Sequence, residues 1–175
     1  MLSYVALRQG DSVGMLCFSN NVHALVPPAS GRSQMNRLLH AAFDRFPMLV
    51  ESRYDLAFLR LATQCRRRAL VILITNVMDA VNASQVERHL RSLSGQHLPL
   101  GVFLRDETLF RTAGETDPRD GQIYASAAAA EILIWRQRIL SGLQHQGVLV
   151  LDTFPQRLTA PLVNRYLEIK ARHLL

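Results

Sequence analysis

The feature that most constrains this chain is the stretch Ala69 to Asp79, read as ALVILITNVMD. Its six apolar residues Ala69 to Ile74 run without alternation and are rich in β-branched side chains, the pattern of a strand covered on both faces. We therefore expect a central parallel strand. The apolar run stops at Thr75 and Asn76, with Asp79 close behind, so polar side chains arrive at the edge where open α/β sheets place their ligands.

The elements around that strand alternate. Met1 to Arg8 has helical spacing at Leu2, Val5 and Ala6, ended by Gly10. Ser12 to Phe18 reads as a buried strand, Ser19-Asn20-Asn21 as a turn, and Val22 to Val26 as a returning edge strand stopped by Pro27-Pro28. Ser33 is expected to cap a helix that turns Met35, Leu38, Leu39, Ala42, Phe43 and Phe46 inward. A second helix, entered through Glu51-Ser52, runs from about Arg53 to Cys65 with Ala57, Phe58, Leu61 and Ala62 inward.

After the pivotal strand come a helix over Ala83 to Leu93, with Val86, Leu90 and Leu93 buried, and an apolar run from His97 to Leu104. That is a βαβ unit, whose right-handed crossover opens both strand ends on one edge and brings Arg105, Asp106 and Glu107 near Asn76. Leu109 to Gln122 reads as a surface loop with at most one helical turn. A long helix from Ile123 to Leu143, a strand Val148 to Leu151 and a terminal helix from Thr159, with Leu162, Val163, Tyr166 and Leu167 inward, complete an α/β chain with a mainly parallel sheet.

Composition narrows the function. The chain has 175 residues, 49% of them hydrophobic, enough for one domain with a substantial core. Lys plus Arg number 20 against 14 Asp plus Glu, a net charge of +6, which permits an acidic protein, nucleic acid or anionic lipid as partner. The basic residues are spread out except for Arg66, Arg67 and Arg68, which read first as cations at a helix C-terminus and second as a phosphate clamp. Cys17 and Cys65 form no zinc-binding or redox motif and read as core residues in a reducing compartment. No stretch approaches a membrane span and no signal-peptide pattern opens the chain, so it is expected in the cytoplasm. Neither GxGxxG nor GxxxxGK[ST] occurs, and no residue set supports nucleophilic or paired-carboxylate catalysis, so the chain is expected not to be an enzyme.

With GDSVGMLCFSNNV, the Glu51-Ser52 helix entrance, RRRALVILITN, HLPLGVFL and LVNRYLEIKAR in hand, the sequence resembles the C-terminal part of the bacterial domain of unknown function 58 family, which is von Willebrand factor A-like. The resemblance runs over nearly the whole chain and implies one domain over residues 1–175, a Rossmann-like three-layer sandwich with strand order 3-2-1-4-5-6 and one antiparallel edge strand. Domains of this type begin with a strand ending in Asp-x-Ser-x-Ser, the first ligands of a metal-ion-dependent adhesion site, and no such pentapeptide occurs here. The expectation is a domain shortened at its N-terminus, with a strand missing between Ser12 to Phe18 and Ala69 to Thr75. Losing a middle strand could orphan several hydrogen-bonding groups at about 1–3 kcal/mol each. That is comparable with a total stability of about 5–15 kcal/mol. Either the chain is a piece of a longer protein, the favoured reading, or the flanking strands close on each other, or another chain fills the slot.

By the same resemblance Ser52 aligns with the second-loop Thr of the metal site and Asn76 replaces the Asp after the pivotal strand. A hard cation such as Mg²⁺ wants carboxylate charge, which neither supplies, so a degenerate site is expected, with Mg²⁺ only if the missing ligands come from elsewhere. Ser52 reads more readily as a helix N-cap and Asn76 as a turn residue satisfying backbone, while Asp79 reads equally as a cap of the next segment. The resemblance further implies work beside a MoxR-type AAA+ ATPase in protein assembly or maturation. The function expected is thus a protein-protein interaction module that recognises its partner through Ser19, Asn20, Ser52, Asn76 and Asp79. The alternative is a basic nucleic-acid-binding domain using Arg66 to Arg68.

Overall fold

A computed structural model describes residues 1–43, 50–76, 80–115 and 122–174. The chain is α/β and divides into two compact units, Met1–Ala69 with Leu162–Leu175, and Leu70–Pro161.

The first unit holds a two-stranded antiparallel sheet of β1 (Val13–Phe18) and β2 (Val22–Ala29), with helices α1 (Leu2–Arg8), α2 (Arg32–Phe43) and α3 (Tyr54–Gln64). Helix α7 (Thr159–Ala171) contributes its residues from Leu162 onward. As expected, α1 ends where Gly10 takes φ +83°, which lets the Asp11 N–H reach back to the Ala6 carbonyl at 3.0 Å. Strand β2 does not stop at the prolines but carries Pro27 and Pro28 within it. Two prolines in a row supply no N–H to the ladder, and the register shifts between Val13 and Met15. The fully buried Gln34 repairs the gap, its Nε2 donating to the Val13 carbonyl at 2.7 Å and the Pro27 carbonyl at 2.9 Å.

That repair turns α2 away from the expected face. Gln34 and Leu38 point inward, whereas Leu39 is exposed and Phe43 is 87% exposed. Phe46 lies outside the described residues. Helix α2 begins at Arg32, after Gly31 at φ +91°, so Ser33 is a helical residue and not the cap. In α3, Tyr54 and Ala57 are buried and Ala62 is exposed. In α7 the inward residues are Leu162, Tyr166 and Ile169, with Leu167 outside.

The second unit is a three-stranded parallel sheet in the order β3-β4-β5, made of β3 (Leu70–Thr75), β4 (Leu98–Leu104) and β5 (Leu149–Thr153). Its helices are α4 (Ala80–Leu93), α5 (Glu107–Ala113) and α6 (Gln122–His145). The central position expected for Ala69 to Ile74 is corrected. Among the described strands β3 lies on the rim and β4 is the centre, with Leu100, Val102 and Phe103 fully buried. A run without alternation reports cover on the two faces and says nothing about neighbours along the two edges. Ile74, 48% exposed, shows besides that the cover on the faces of β3 is incomplete at its carboxyl end.

Helix α4 packs on β4 through Ala83, Val86, Leu90 and Leu93, the stripe read from the sequence with Ala83 added. Gly101 lets Leu90 and Phe103 close over the strand, since a Cβ there would lie 2.6 Å from Phe103 Cε2 and 3.2 Å from Leu90 Cδ1. The loop expected after Leu109 begins as helix α5, whose N-cap Asp106 accepts from the Leu109 N–H at 3.0 Å. The Gly121 and Pro118 of that expected loop lie outside the described residues.

Candidate functional site

Of the five residues singled out from the sequence, the four described ones distribute over both units. In the first unit, Ser19 and Asn20 form the hairpin turn between β1 and β2. The turn is closed by the Ser19 N–H on the Asn21 carbonyl at 2.9 Å and by the Asn21 side chain, which accepts from the Val22 N–H at 2.8 Å. Ser19 Oγ donates to Asn20 Oδ1 at 3.0 Å and lies 2.5 Å from His23 Nε2.

Ser52 joins this turn through its neighbour. The Arg53 N–H donates to the Ser19 carbonyl at 2.8 Å, and Phe18 meets Tyr54 edge to face at 5.4 Å between ring centres. The start of α3 is therefore bolted to the hairpin, and Ser19, Asn20 and Ser52 share one neighbourhood. Arg53, not Ser52, takes the cap position at the start of α3. It donates from Nε and Nη2 to the two Asp55 oxygens at 2.8 and 2.7 Å, and this fork holds the Asp55 carboxyl down to about 2. A groove of about 370 Å³ adjoins the turn, lined by Asn21, Val22, His23, Ala24, Leu25 and Arg60.

Asn76 belongs to the second unit, where it is exposed directly after β3, one step beyond the Thr75–Phe103 register pair. That register sets it level with Leu104, one residue before Arg105. Asp79 lies outside the described residues. As ligands for Mg²⁺, the Ser52 hydroxyl and Asn76 amide supply no carboxylate charge, and among the described residues no group of three or more His, Cys, Asp or Glu could hold a metal ion. The donor set does not fit the cation. Of the arginine run, Arg68 spends Nη2 on the Leu174 carbonyl at 3.2 Å, and all three arginines follow the end of α3 and do not sit within its last turn.

The carboxyl edge of the parallel sheet carries a cluster that sequence reading missed. Asp152, near the end of β5, accepts a hydrogen bond from Arg105 Nε at 2.9 Å on Oδ2, while Arg136 Nη1 lies 2.8 Å from Oδ1 as an ion pair without hydrogen-bond geometry. Arg136 is buried in α6, and its Nη2 donates to the Leu104 carbonyl at 3.2 Å. Arg105 lies over the rings of Phe110 and Phe154, 5.0 and 5.4 Å from their centres. The available signal was an arginine at a position of α6 whose neighbours one turn on, Ile139 and Leu140, are apolar: a charge on a buried stripe demands a buried partner.

Among the described residues no helix is long and apolar enough to cross a membrane. Residues 1–130 match the model of one protein family, described as protein of unknown function DUF58. No curated protein and no solved structure matches the chain.

Proposed function

The chain belongs to the protein family of unknown function DUF58, and on that premise we propose that it is a non-enzymatic protein-protein interaction module. In this reading it has a von Willebrand factor A-like fold, and a MoxR-type AAA+ ATPase is its partner in protein assembly or maturation. Its metal-ion-dependent adhesion site is degenerate, so recognition runs through polar side chains and backbone and does not depend on a bridging cation.

The observation that carries this reading is the 2.8 Å hydrogen bond from the Arg53 N–H to the Ser19 carbonyl. A hairpin turn fixed at its own backbone and again by the start of a helix loses little conformational freedom on docking. It offers Ser19, Asn20 and His23 in a set geometry, with the groove along Asn21 to Leu25 beside them. A pull-down with a MoxR-type AAA+ ATPase tests the proposal. Capture with and without Mg²⁺ supports it, and failure to capture in both conditions overturns it.

A further inference from the structure

The Arg105, Asp152 and Arg136 cluster is unequal: one carboxylate faces two guanidinium groups. Each Asp152 oxygen already has a cation against it, so neither is left to answer the remaining charge. The nearest other carboxylate in sequence, Asp106, accepts the Leu109 N–H as the α5 cap. Glu107 is exposed in the first turn of that helix. Arg136 spends Nη2 on the Leu104 carbonyl and is buried, so the accessible member is Arg105, whose side chain is 34% exposed.

Arg105 commits Nε alone to Asp152, and among the described residues no protein acceptor takes its Nη hydrogens. The two phenylalanines beneath it pack edge to face at 5.4 Å and make a rigid apolar platform. The guanidinium plane is thus fixed at one end by an ion pair and from below by aromatic faces, while its two-nitrogen edge keeps its donors. That is the fork geometry that matches a planar carboxylate through two parallel hydrogen bonds.

We propose that Arg105 is a carboxylate-binding residue that receives an Asp or Glu side chain of a partner protein docked over the ends of β4 and β5. The net charge of +6 on the chain favours an acidic partner surface over a basic one. The inference deepens the interaction-module reading by naming the chemistry of the partner, and its test does not use the ATPase, so the two can fail separately.

The test is side-chain nitrogen NMR on the full chain, following the Arg105 Nε resonance while a short poly-glutamate peptide or inorganic phosphate is added. The expected result is a saturable shift with the peptide and a smaller one with phosphate at equal concentration. Arg105→Gln should weaken peptide binding by about tenfold, and Arg105→Lys, which keeps the charge and loses the fork, by an intermediate factor. An Arg105 signal unmoved by saturating peptide, or moved as far by phosphate, overturns the proposal. Unchanged peptide affinity in a folded Arg105→Gln chain also overturns it. The titration of the unsubstituted protein stands without any variant.

Discussion

Arg136 Nη1 lies 2.8 Å from Asp152 Oδ1, an ion pair whose arginine side chain is 5% exposed and whose aspartate is 17% exposed. At that depth neither charge is well hydrated, so each depends on the other. Asp152→Ala should destabilise the second unit by about 3–5 kcal/mol, because the buried guanidinium loses its counter-charge. The double substitution of Asp152→Ala with Arg136→Met should recover much of that loss. Urea denaturation of the three proteins checks both statements.

Gln34 carries the bulged end of the antiparallel sheet. Gln34→Leu keeps the volume and removes both donors, leaving the Val13 and Pro27 carbonyls unpaired at about 1–3 kcal/mol for each that stays buried. Gln34→Glu should be worse than Gln34→Leu at neutral pH, because a carboxylate would face two carbonyl oxygens. Thermal melts of the two variants at neutral pH rank them.

Gly101→Ala should cost about 1–3 kcal/mol through overpacking, since the added methyl would fall 2.6 Å from Phe103 Cε2 and 3.0 Å from Cζ. Gly95→Ala is the control, because nothing lies within 4 Å of its Cβ position. Comparing the two denaturation midpoints isolates the close approach over β4.

The segments GDSVG and YLEIKAR meet in the first unit. Asp11 accepts from Lys170 Nζ at 2.8 Å and from the Tyr166 hydroxyl at 2.5 Å, while Lys170 also donates to the Gln9 carbonyl at the end of α1. Burial works against the Asp11 carboxylate, yet these two hydrogen bonds outweigh it and hold its pKa below 3.8. A depressed carboxylate contributes stability that is present above its unfolded pKa and lost as pH falls through the folded one, so the acid loss from this group lies below 3.8. Tyr166 is raised above 10.0, by burial first and by Asp11 second, and Lys170 is raised above 10.5 by its Asp11 hydrogen bond. Their contribution is present below those values and lost as pH rises through the shifted ones. Asp11→Asn should flatten both limbs in urea midpoints measured across pH.

Much of the fold is legible in the sequence where one periodicity dominates. Val86, Leu90 and Leu93 appear as a helical stripe and are buried as such, and HLPLGVFL reads as a covered strand and is one. What escaped depends on long-range pairing. The apolar count in α2 favours Leu39 and Phe43 as the inner face, but two prolines in β2 need a donor, and Gln34 turns the helix to provide it. The rank of β3 and β4 within the sheet is set by which edges pair, which a face pattern does not encode. The joining of Ser19 to the Ser52–Arg53 entrance is a main-chain contact, invisible to side-chain motifs. Arg136 and Asp152 are each ordinary in their own segments and informative only as a pair.

The central claim is that the bolted hairpin turn docks a protein partner. Its most direct test is a calorimetric titration of the chain with a MoxR-type AAA+ ATPase, the proposed partner, with and without Mg²⁺, for the unsubstituted protein and for Ser19→Ala with Asn20→Ala. These substitutions spare the Ser19 carbonyl that Arg53 holds. Saturable binding is expected in both buffers, weakened about tenfold by the double substitution with the fold unchanged. Binding that ignores the double substitution, or no binding in either buffer, would contradict it.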